Sequence, residues 1–423
     1  MSFQITHKVQ LSPNNKAKTY FKKACGCARL AYNWGLARWK ENYNLGIKTN
    51  HLALKKEFNA IKKEQFPFVY EVSKYATQQP FIHLGLAFTK FFRDLKQGKL
   101  SYPRFKKKRE FQGKLYIGGD QIKIIQGCKR DYLKIPNLSK IKMTEKLRFV
   151  GKISGATISI KGSDFFVSIA MEVSQKEFIS THKPLKNSKT IGIDTGIKSF
   201  VSLSNGLQIK APKPLTKLTR RLKRLSRQLS KKQHPKAKGD KTRKSRNYLL
   251  ASLKLNKLHQ RISNIRLDFL HKLTSVLVSH FDLFCLENLR VDNMLKNHKL
   301  AKSLADVSIS AFNTLLEYKA RYLGKEIKRA DSFYPSSKTC SDCGHLKTDL
   351  SLSDRVYSCS HCGLVLDRDY NASLNLVKHL VGKALTEFTP ADMTALLADL
   401  KTNQLVTSMV ETGIQQKSHA LSL

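Results

Sequence analysis

The chain has 423 residues, with 77 Lys and Arg against 31 Asp and Glu and a formal net charge of +46. Hydrophobic residues make up 41% of it, which excludes a chain disordered throughout. The charge excludes an ordinary soluble basic protein, because self-repulsion of this size destabilises a compact state until a polyanion relieves it.

The length allows two to four domains. No apolar run approaches the ~20 residues that span a bilayer, so no membrane partner is expected. The N-terminus (Met1-Ser2-Phe3-Gln4-Ile5-Thr6-His7-Lys8) lacks an apolar secretory core. Four of the eight cysteines form two Cys-x-x-Cys pairs, and Cys25, Cys27, Cys128 and Cys285 are scattered. That pattern fits a reducing, cytoplasmic compartment rather than a disulfide framework.

Residues 3–11 alternate weakly and read as a lone strand. Ser12-Pro13 reads as a helix start, Ser as cap and Pro in the first turn. Phe21, Cys25, Ala28, Ala31, Leu36 and Trp39 follow near helical spacing, interleaved with Lys16, Lys18, Lys22, Lys23, Arg29, Arg38 and Lys40. A second helix is expected from Lys74 to Lys96. The basic segment from Lys99 to Arg109 holds Tyr102, Arg104, Phe105, Lys106 and Lys107, which suits both a solvated loop and a contact to phosphates and bases. From about Leu115 to Val173 the period is two: 121–125, 132–135, 156–160 and 165–170 read as strands, Gly162-Ser163-Asp164 as a turn. Short strands with turns between them predict a small β-barrel, which residues 3–11 could close, with the helices inserted.

Residues 183–190 form a polar linker. Ile191-Gly192-Ile193-Asp194 reads as a buried strand ending in an acid, and a hairpin turning at Asn205-Gly206 follows. Residues 213–246 carry fifteen Lys or Arg and one acid, with Leu215, Leu218, Leu222, Leu225 and Leu229 at spacings of three and four. This is a cationic amphipathic helix that breaks near His234-Pro235 and resumes to His280. A solvated helical hairpin would carry more Glu, so its charge density favours a phosphate-tracking surface: Arg220, Arg221, Arg224, Arg227, Lys241 and Arg243, beside Arg104, Lys106 and Lys107, are the candidate nucleic-acid contacts. Phe281–Glu287 is a second strand ending in an acid. Helical pattern runs from about Leu300 to Tyr322, and Lys325–Ala330 is a further strand. Residues 381–423, with three Lys and four acids, read as an appendage that contacts no nucleic acid, although Thr389-Pro390-Ala391-Asp392 caps a helix to about Leu400. His271, His280 and His379 sit in helical patterns and read as packing or capping residues. Cys25 and Cys27 read as small buried side chains.

Two constellations carry chemistry. Cys340-x2-Cys343-x15-Cys359-x2-Cys362 has zinc-ribbon spacing: four thiolates close a tetrahedral Zn2+ site with no position for substrate, so the zinc is structural, and Gly344 and Gly363 permit the tight turns. Asp194, Glu287 and Asp369 are the second. Asp194 and Glu287 end buried strands and Asp369 opens a helix. Strand ends in an α/β sheet converge, so distant acids can share divalent ions. Oxygen ligands suit Mg2+, and a pair of Mg2+ ions can activate water and stabilise the leaving oxygen of a phosphodiester. Singly, each acid is weak evidence: a strand-end Asp is often a turn former, and Asp369 alone reads as a helix cap. Asp367, two residues away, points elsewhere on a helix. The Gly192–Gly196 segment also resembles the first phosphate loop of actin-like and sugar-kinase ATPases, but their second Asp-x-Gly loop and glycine-rich adenosine site are missing from the sequence.

Asp194 in Gly-Ile-Asp-Thr-Gly, Glu287 in Leu-Glu-Asn-Leu, the knuckles Cys-Ser-Asp-Cys-Gly and Cys-Ser-His-Cys-Gly, and Asp367-Arg368-Asp369-Tyr370-Asn371-Ala372 together resemble TnpB, the OrfB-type protein of bacterial insertion sequences related to compact type V CRISPR nucleases. Tyr102–Lys106 and the basic start with Tyr32-Asn33 are similar to it too. The resemblance covers about residues 3–380. It implies a transposon-encoded nuclease guided by RNA from the element's own end, recognition of a short motif beside the target, and Mg2+-dependent cleavage of both strands of DNA at a RuvC-like site. Asp194, Glu287 and Asp369 would be the catalytic, Mg2+-binding acids, and guide RNA and target double-stranded DNA the partners of a monomer. The implied fold is α/β plus small β-barrel: a barrel over 1–180 with a helical bundle inserted at about 12–98, an RNase H-like (RuvC-like) nuclease domain over 187–339 and 363–382 containing the basic helices 213–280, a zinc ribbon at 340–362, and a tail at 383–423 of open role. A nuclease-inactive RNA-guided repressor and a DNA-binding transposase accessory protein are the alternatives. Strand transfer by a tyrosine transposase would need a His-hydrophobic-His pair, which the sequence lacks.

Overall fold

The computed structural model describes residues 2–108, 112–182, 189–237, 240, 242–351, 353–382, 388–405 and 407–409, and divides into two compact units, Met1–Glu177 and Phe178–Leu423. Most of the 183–190 linker lies outside the described residues.

In the first unit, β1 (Ser2–Ser12) alternates exposed and buried positions from Gln4 on, the period of a half-buried strand. It pairs antiparallel with β7 from Ser2↔Ser174 to Leu11↔Phe165. The following helix starts later than Ser12-Pro13 predicts. Ser12 still pairs with Lys142, and Asn14 caps α1 (Asn15–Asn44) by accepting from the Ala17 N–H at 2.9 Å. Asn caps as well as Ser does, so the strand can run on at no loss. α2 (His51–Gln65) and α3 (Tyr75–Lys96) pack on α1 around Leu36, Leu54, Phe58, Phe81, Leu84 and Phe88. α2 escapes sequence reading because it buries only Leu54 and Phe58.

Strands β2 (Gln112–Gly118), β3 (Lys123–Ile125), β4 (Tyr132–Lys134), β5 (Ile141–Met143), β6 (Lys152–Lys161) and β7 (Asp164–Ser174) join β1 in a seven-stranded sheet of order β2-β6-β7-β1-β5-β4-β3. Its two edge strands, β2 and β3, are consecutive in the chain, separated by residues 119–122 alone. Such a link reaches at most ~18 Å, whereas a flat seven-stranded sheet would hold its edges roughly 29 Å apart. The sheet must therefore curl. α4 (Gln175–His182) carries the chain across the division between units.

The second unit is built on β8 (Thr190–Thr195), the hairpin β9 (Val201–Leu203) and β10 (Leu207–Ile209), β11 (Leu283–Leu286), β12 (Glu326–Arg329) and a late strand, β15 (Thr407–Met409). Gly206 makes the hairpin turn at φ +85°. The sheet order is β12-β11-β8-β9-β10-β15, with β12, β11 and β8 parallel and the rest antiparallel. Between β10 and β11 run the basic helices α5 (Pro214–Ser230) and α6 (Arg246–His280). After β11 come a short α7 (Val291–Met294), α8 (His298–Val307) and α9 (Ile309–Tyr322). The continuous helix expected over 300–322 is broken at Ser308, which takes φ +61°. Just before this break the carboxylate of Asp306, 2% exposed, accepts from Leu215 N (2.9 Å), Thr216 N (2.8 Å), Thr216 Oγ1 (2.9 Å) and Arg266 Nη2 (3.0 Å). A remote acid thus supplies the first turn of α5 with the acceptors its own cap position, Lys213, does not provide.

Side chains of β8 and β11 alternate between two covered faces. Ile191, Ile193, Phe284 and Leu286 enter the large core with α6 and α9. Cys285 packs on the other face with Ala330, Leu376 and Val377, the last two from α10 (Arg368–Val381). Gly192 shares that face, and a Cβ there would stand 2.0 Å from the Ser373 carbonyl oxygen of α10. The helix backbone lies directly on the strand, and only glycine allows it.

The C-terminal segment is not an appendage. α11 (Pro390–Thr402) begins with the expected capping box between Thr389 and Asp392, and it buries Leu396 and Leu400, with Leu405, in the core of the second unit. β15 then adds to the sheet against β10, from Leu207↔Met409 to Ile209↔Thr407. Asp399 accepts from His280 Nε2 at 2.7 Å, and Lys189 pairs with Asp392. Residues 383–387, 406 and 410–423 lie outside the described residues.

Candidate active site

Register brings the first two acids together. β11 runs parallel to β8 with Leu286 opposite Ile193, so Glu287 and Asp194 occupy the next position of adjacent strands. Neighbouring strands lie about 4.8 Å apart, and residues at equal register point to the same face. That face carries α10, whose seat on Gly192 sets the start of the helix, and Asp369, near Asp194. The expected N-cap is corrected by two residues: Asp367, not Asp369, caps α10, accepting from Asp369 N and Tyr370 N at 3.0 Å each and from Gln208 Nε2 at 3.1 Å. With its carboxylate committed to the cap, Asp367 leaves Asp369 in the first turn free to face the strand ends.

All three carboxyls are half-buried, and Asp194 and Glu287 both sense Asp369. Burial pushes Asp194 well above the usual carboxylate range, and the charges of Glu287 and Asp369 push the same way. Glu287 is raised by burial and by Asp369, against the Ser336 hydroxyl that donates to it. Asp369 is raised by burial and by Asp367, while Arg355, Arg368 and Lys198 oppose. Like charges held this way call for a cation. The acids are nonetheless spread: among the described residues, Cys340, Cys343, Cys359 and Cys362 are the one group of three or more His, Cys, Asp or Glu whose ligand atoms all lie within 4.8 Å.

The cysteine cluster fits zinc by its own geometry. Cys340 Sγ and Cys362 Sγ are 3.6 Å apart, as are Cys343 Sγ and Cys359 Sγ. A tetrahedron with Zn–S bonds of ~2.3 Å has edges of about 3.8 Å, whereas a disulfide would need ~2.05 Å. Gly344 and Gly363 take φ +76° and +75°, as the turns require. The hairpin of β13 (Val356–Ser358) and β14 (Val365–Asp367) carries the second knuckle, over the fully buried Tyr357 ring. β14 ends on the Asp367 cap, so the ribbon leads straight into α10.

The candidate nucleic-acid contacts are distributed. On α5, Arg220, Arg221, Arg224 and Arg227 are all exposed; Arg220, Arg224 and Arg227 line a cationic groove with Lys223, Gln228 and Lys231. Arg243 is exposed, and Lys241 lies outside the described residues. In the first unit, Arg104, Lys106 and Lys107 are all exposed, and Lys106 is also anchored: its ammonium sits 3.7 Å from the Tyr32 ring centroid, and its backbone is clamped by Asn33, which donates to Lys106 O (3.0 Å) and accepts from Lys106 N (2.8 Å). The loop is thus pinned to α1 rather than freely solvated.

Sequence reasoning missed the supports of the acids. Asn371 and Asn375 of α10 are 0% and 2% exposed, and Ser336 is 3% exposed beside Glu287. The one visible signal was the presence of Asn371 inside the Asp367–Ala372 motif. No helix among the described residues is long and apolar enough to cross a membrane.

Comparison with known proteins finds named relatives over most of the chain. The family model of IS605-type OrfB, described as "Probable transposase", matches residues 168–298, a companion helix-turn-helix model matches 1–48, and a "Cas12f1-like, TNB domain" model matches 310–376. The residues matched as helix-turn-helix fold here as β1 and α1 with the start of the next loop. A "Putative RNA-guided DNA endonuclease" of Streptomyces pristinaespiralis is 32% identical over 373 residues, 88% of each chain. The Escherichia coli protein InsQ, of the same description, is 27% identical over 390 residues, covering 88% of this chain and 90% of that one. Among solved structures, the mini-RNA-guided endonuclease CRISPR-Cas phi3 is similar over 92% of this chain and 94% of that one, at 10% identity and a TM-score of 0.45.

Proposed function

The chain belongs to the OrfB family of IS605-type insertion sequences, whose members include TnpB-like proteins, and from that premise we propose that it is an RNA-guided DNA endonuclease. It cleaves double-stranded DNA by Mg2+-dependent hydrolysis, with a guide RNA and the target duplex as partners. One observation carries the reading: the parallel register of β8 and β11 sets Asp194 beside Glu287 under the start of α10, where Asp369 raises both carboxyls. Hard oxygen donors in a mutually repelling set fit Mg2+, which when bound supplies an activated water and charge stabilisation for the leaving oxygen.

The chain's own residues do the rest. Asp194, Glu287 and Asp369 hold the cations. The N-terminus of α10 and the cations Arg355, Arg368 and Lys198 offset negative charge as the phosphodiester enters. The exposed arginines of α5 grip backbone phosphates without reading sequence, as a protein that delegates recognition to base pairing must. The four thiolates hold a structural zinc and leave no open position.

The same reading assigns the second unit to an RNase H-like, RuvC-type domain: 187–339 and 363–382 with the ribbon 340–362 inserted. The three parallel strands extended by an antiparallel hairpin support it. In the first unit, edge strands joined by a four-residue link support an N-terminal barrel with inserted helices. The working unit is a monomer.

Cleavage of a plasmid matched to the co-purifying RNA, with Mg2+, tests the proposal. The wild type should linearise it and Asp194→Ala should bind it uncut. Full cleavage by Asp194→Ala removes that residue from the mechanism, and binding without cutting by the wild type would favour the repressor alternative.

A further inference from the structure

The segment that enters the zinc ribbon also touches the acid site. Ser336 donates from its hydroxyl to Glu287 Oε1. Four residues on is Cys340. The backbone between them is gripped by one face of α10: Asn375 Nδ2 donates to Ser336 O (2.8 Å) and Thr339 O (2.6 Å), Asn371 Nδ2 donates to Thr339 O (2.7 Å) and Asn371 Oδ1 accepts from Ser341 N (2.9 Å), and the Lys378 ammonium donates to Ser341 O. Positions 371, 375 and 378 follow the i, i+4, i+7 pattern of a single helical stripe.

Burying two carboxamides is unfavourable unless their hydrogen bonds are met, and here backbone groups of Ser336, Thr339 and Ser341 meet them. α10 also carries Asp369 and lies on β8 at Gly192. One helix therefore references all three acids: Asp369 by covalent linkage, Asp194 through the strand beneath, and Glu287 through the strap and Ser336. Glu287 is the outlying member, because its long side chain has the most rotamers to choose among.

We propose that Ser336 is a positioning residue for divalent-cation binding, holding the Glu287 carboxylate towards Asp194 and Asp369, and that the strap Ser336–Ser341 makes this hold depend on metal at Cys340. The inference rests on the reading of the three acids as cation ligands. Residues that orient metal ligands typically change metal affinity or activity by 10–100-fold when removed.

The test is calorimetric titration of Mn2+ into the full-length protein as purified, with Asp194→Ala as the background for sites elsewhere. Ser336→Ala should weaken Mn2+ binding ~10–100-fold at unchanged zinc content and melting temperature, and Ser336→Thr, which keeps the hydroxyl, should return to within about threefold of the wild type. Stripping zinc with a mercurial reagent should weaken Mn2+ binding in the wild type and add little in Ser336→Ala. Wild-type affinity in Ser336→Ala overturns the positioning role. Equal weakening of both proteins by zinc removal overturns the link through the strap. If the wild type binds no more Mn2+ than Asp194→Ala, the reading of the acids falls, and this inference with it.

Discussion

Replacing Gly192 by alanine tests whether α10 holds the acid site together. The new Cβ would stand 2.0 Å from the Ser373 carbonyl oxygen and 2.9 Å from Val377 Cγ2. Carbon–oxygen contacts settle near 3.3 Å, so helix and strand must part by about 1.3 Å. Overpacking of a tight contact costs about 1–3 kcal/mol. A unit of this size melts ~2–4 °C lower per kcal/mol, which gives a fall of roughly 2–12 °C. Cleavage should suffer more than stability, because Asp369 moves with the helix while Asp194 stays with the strand, and a displacement of ~1 Å in a reacting constellation can cost 100-fold. Differential scanning calorimetry and single-turnover cleavage of matched plasmid read the two effects separately. Gly26→Ala is the control: it lies inside α1 with nothing within 4 Å of a new Cβ, and it should leave cleavage unchanged. If Gly192→Ala melts and cuts like the wild type, the helix does not sit on the strand as described, and the argument that one helix aligns the three carboxylates is refuted.

Two further outcomes are expected. Asp194→Asn should stabilise the metal-free protein by ~1 kcal/mol, as removal of a strained functional charge commonly does, while abolishing protection by Mn2+. Its sign with pH is fixed: burial and the neighbouring acids raise the folded-state pKa of Asp194, so the wild type carries the full penalty above that raised value and sheds it as pH falls to the unfolded value; thermal melts should show the advantage of Asn shrinking on acidification. Asp306→Asn should destabilise by ~3 kcal/mol or more, because it removes the charge paired with Arg266 and sets an NH2 donor against donors of Arg266 or the first turn of α5. Burial works against ionisation of Asp306, but the N–H groups of Leu215 and Thr216, the Thr216 hydroxyl and Arg266 prevail and lower its pKa. The stability it confers is present above the unfolded value, ~3.9, and is lost as pH falls through the folded one, so urea denaturation should find the gap constant from pH 7 to 5 and closing below about pH 4. A gap that widens on acidification would contradict this.

What the sequence disclosed follows from how local each signal was. Cysteine spacing determines a tetrahedral site almost by itself. The buried runs before Asp194 and Glu287 announced strand ends, and parallel register then aligned the two acids. Asp369 needed the helix start, which Asp367 sets through bonds to backbone N–H groups that no residue pattern separates from those Asp369 could have made. Asn371, Asn375 and Ser336 look like surface polar residues until their partners are in place, and those partners are remote: backbone 30 and 39 residues upstream for the two asparagines, and the Glu287 carboxylate 49 residues upstream for Ser336. The C-terminal segment was misjudged because its low charge was read as separation from the fold, and three-residue β15 has no pattern long enough to read.

That last strand has a consequence for handling the protein. Without it, β10 would be the rim of the sheet, offering unpaired amides and carbonyls to any passing extended segment. With it, the rim among the described residues is Thr407–Met409, and β10 is covered. Trimming the chain after α10 would keep all three candidate acids on paper and yield a protein that clumps in the tube.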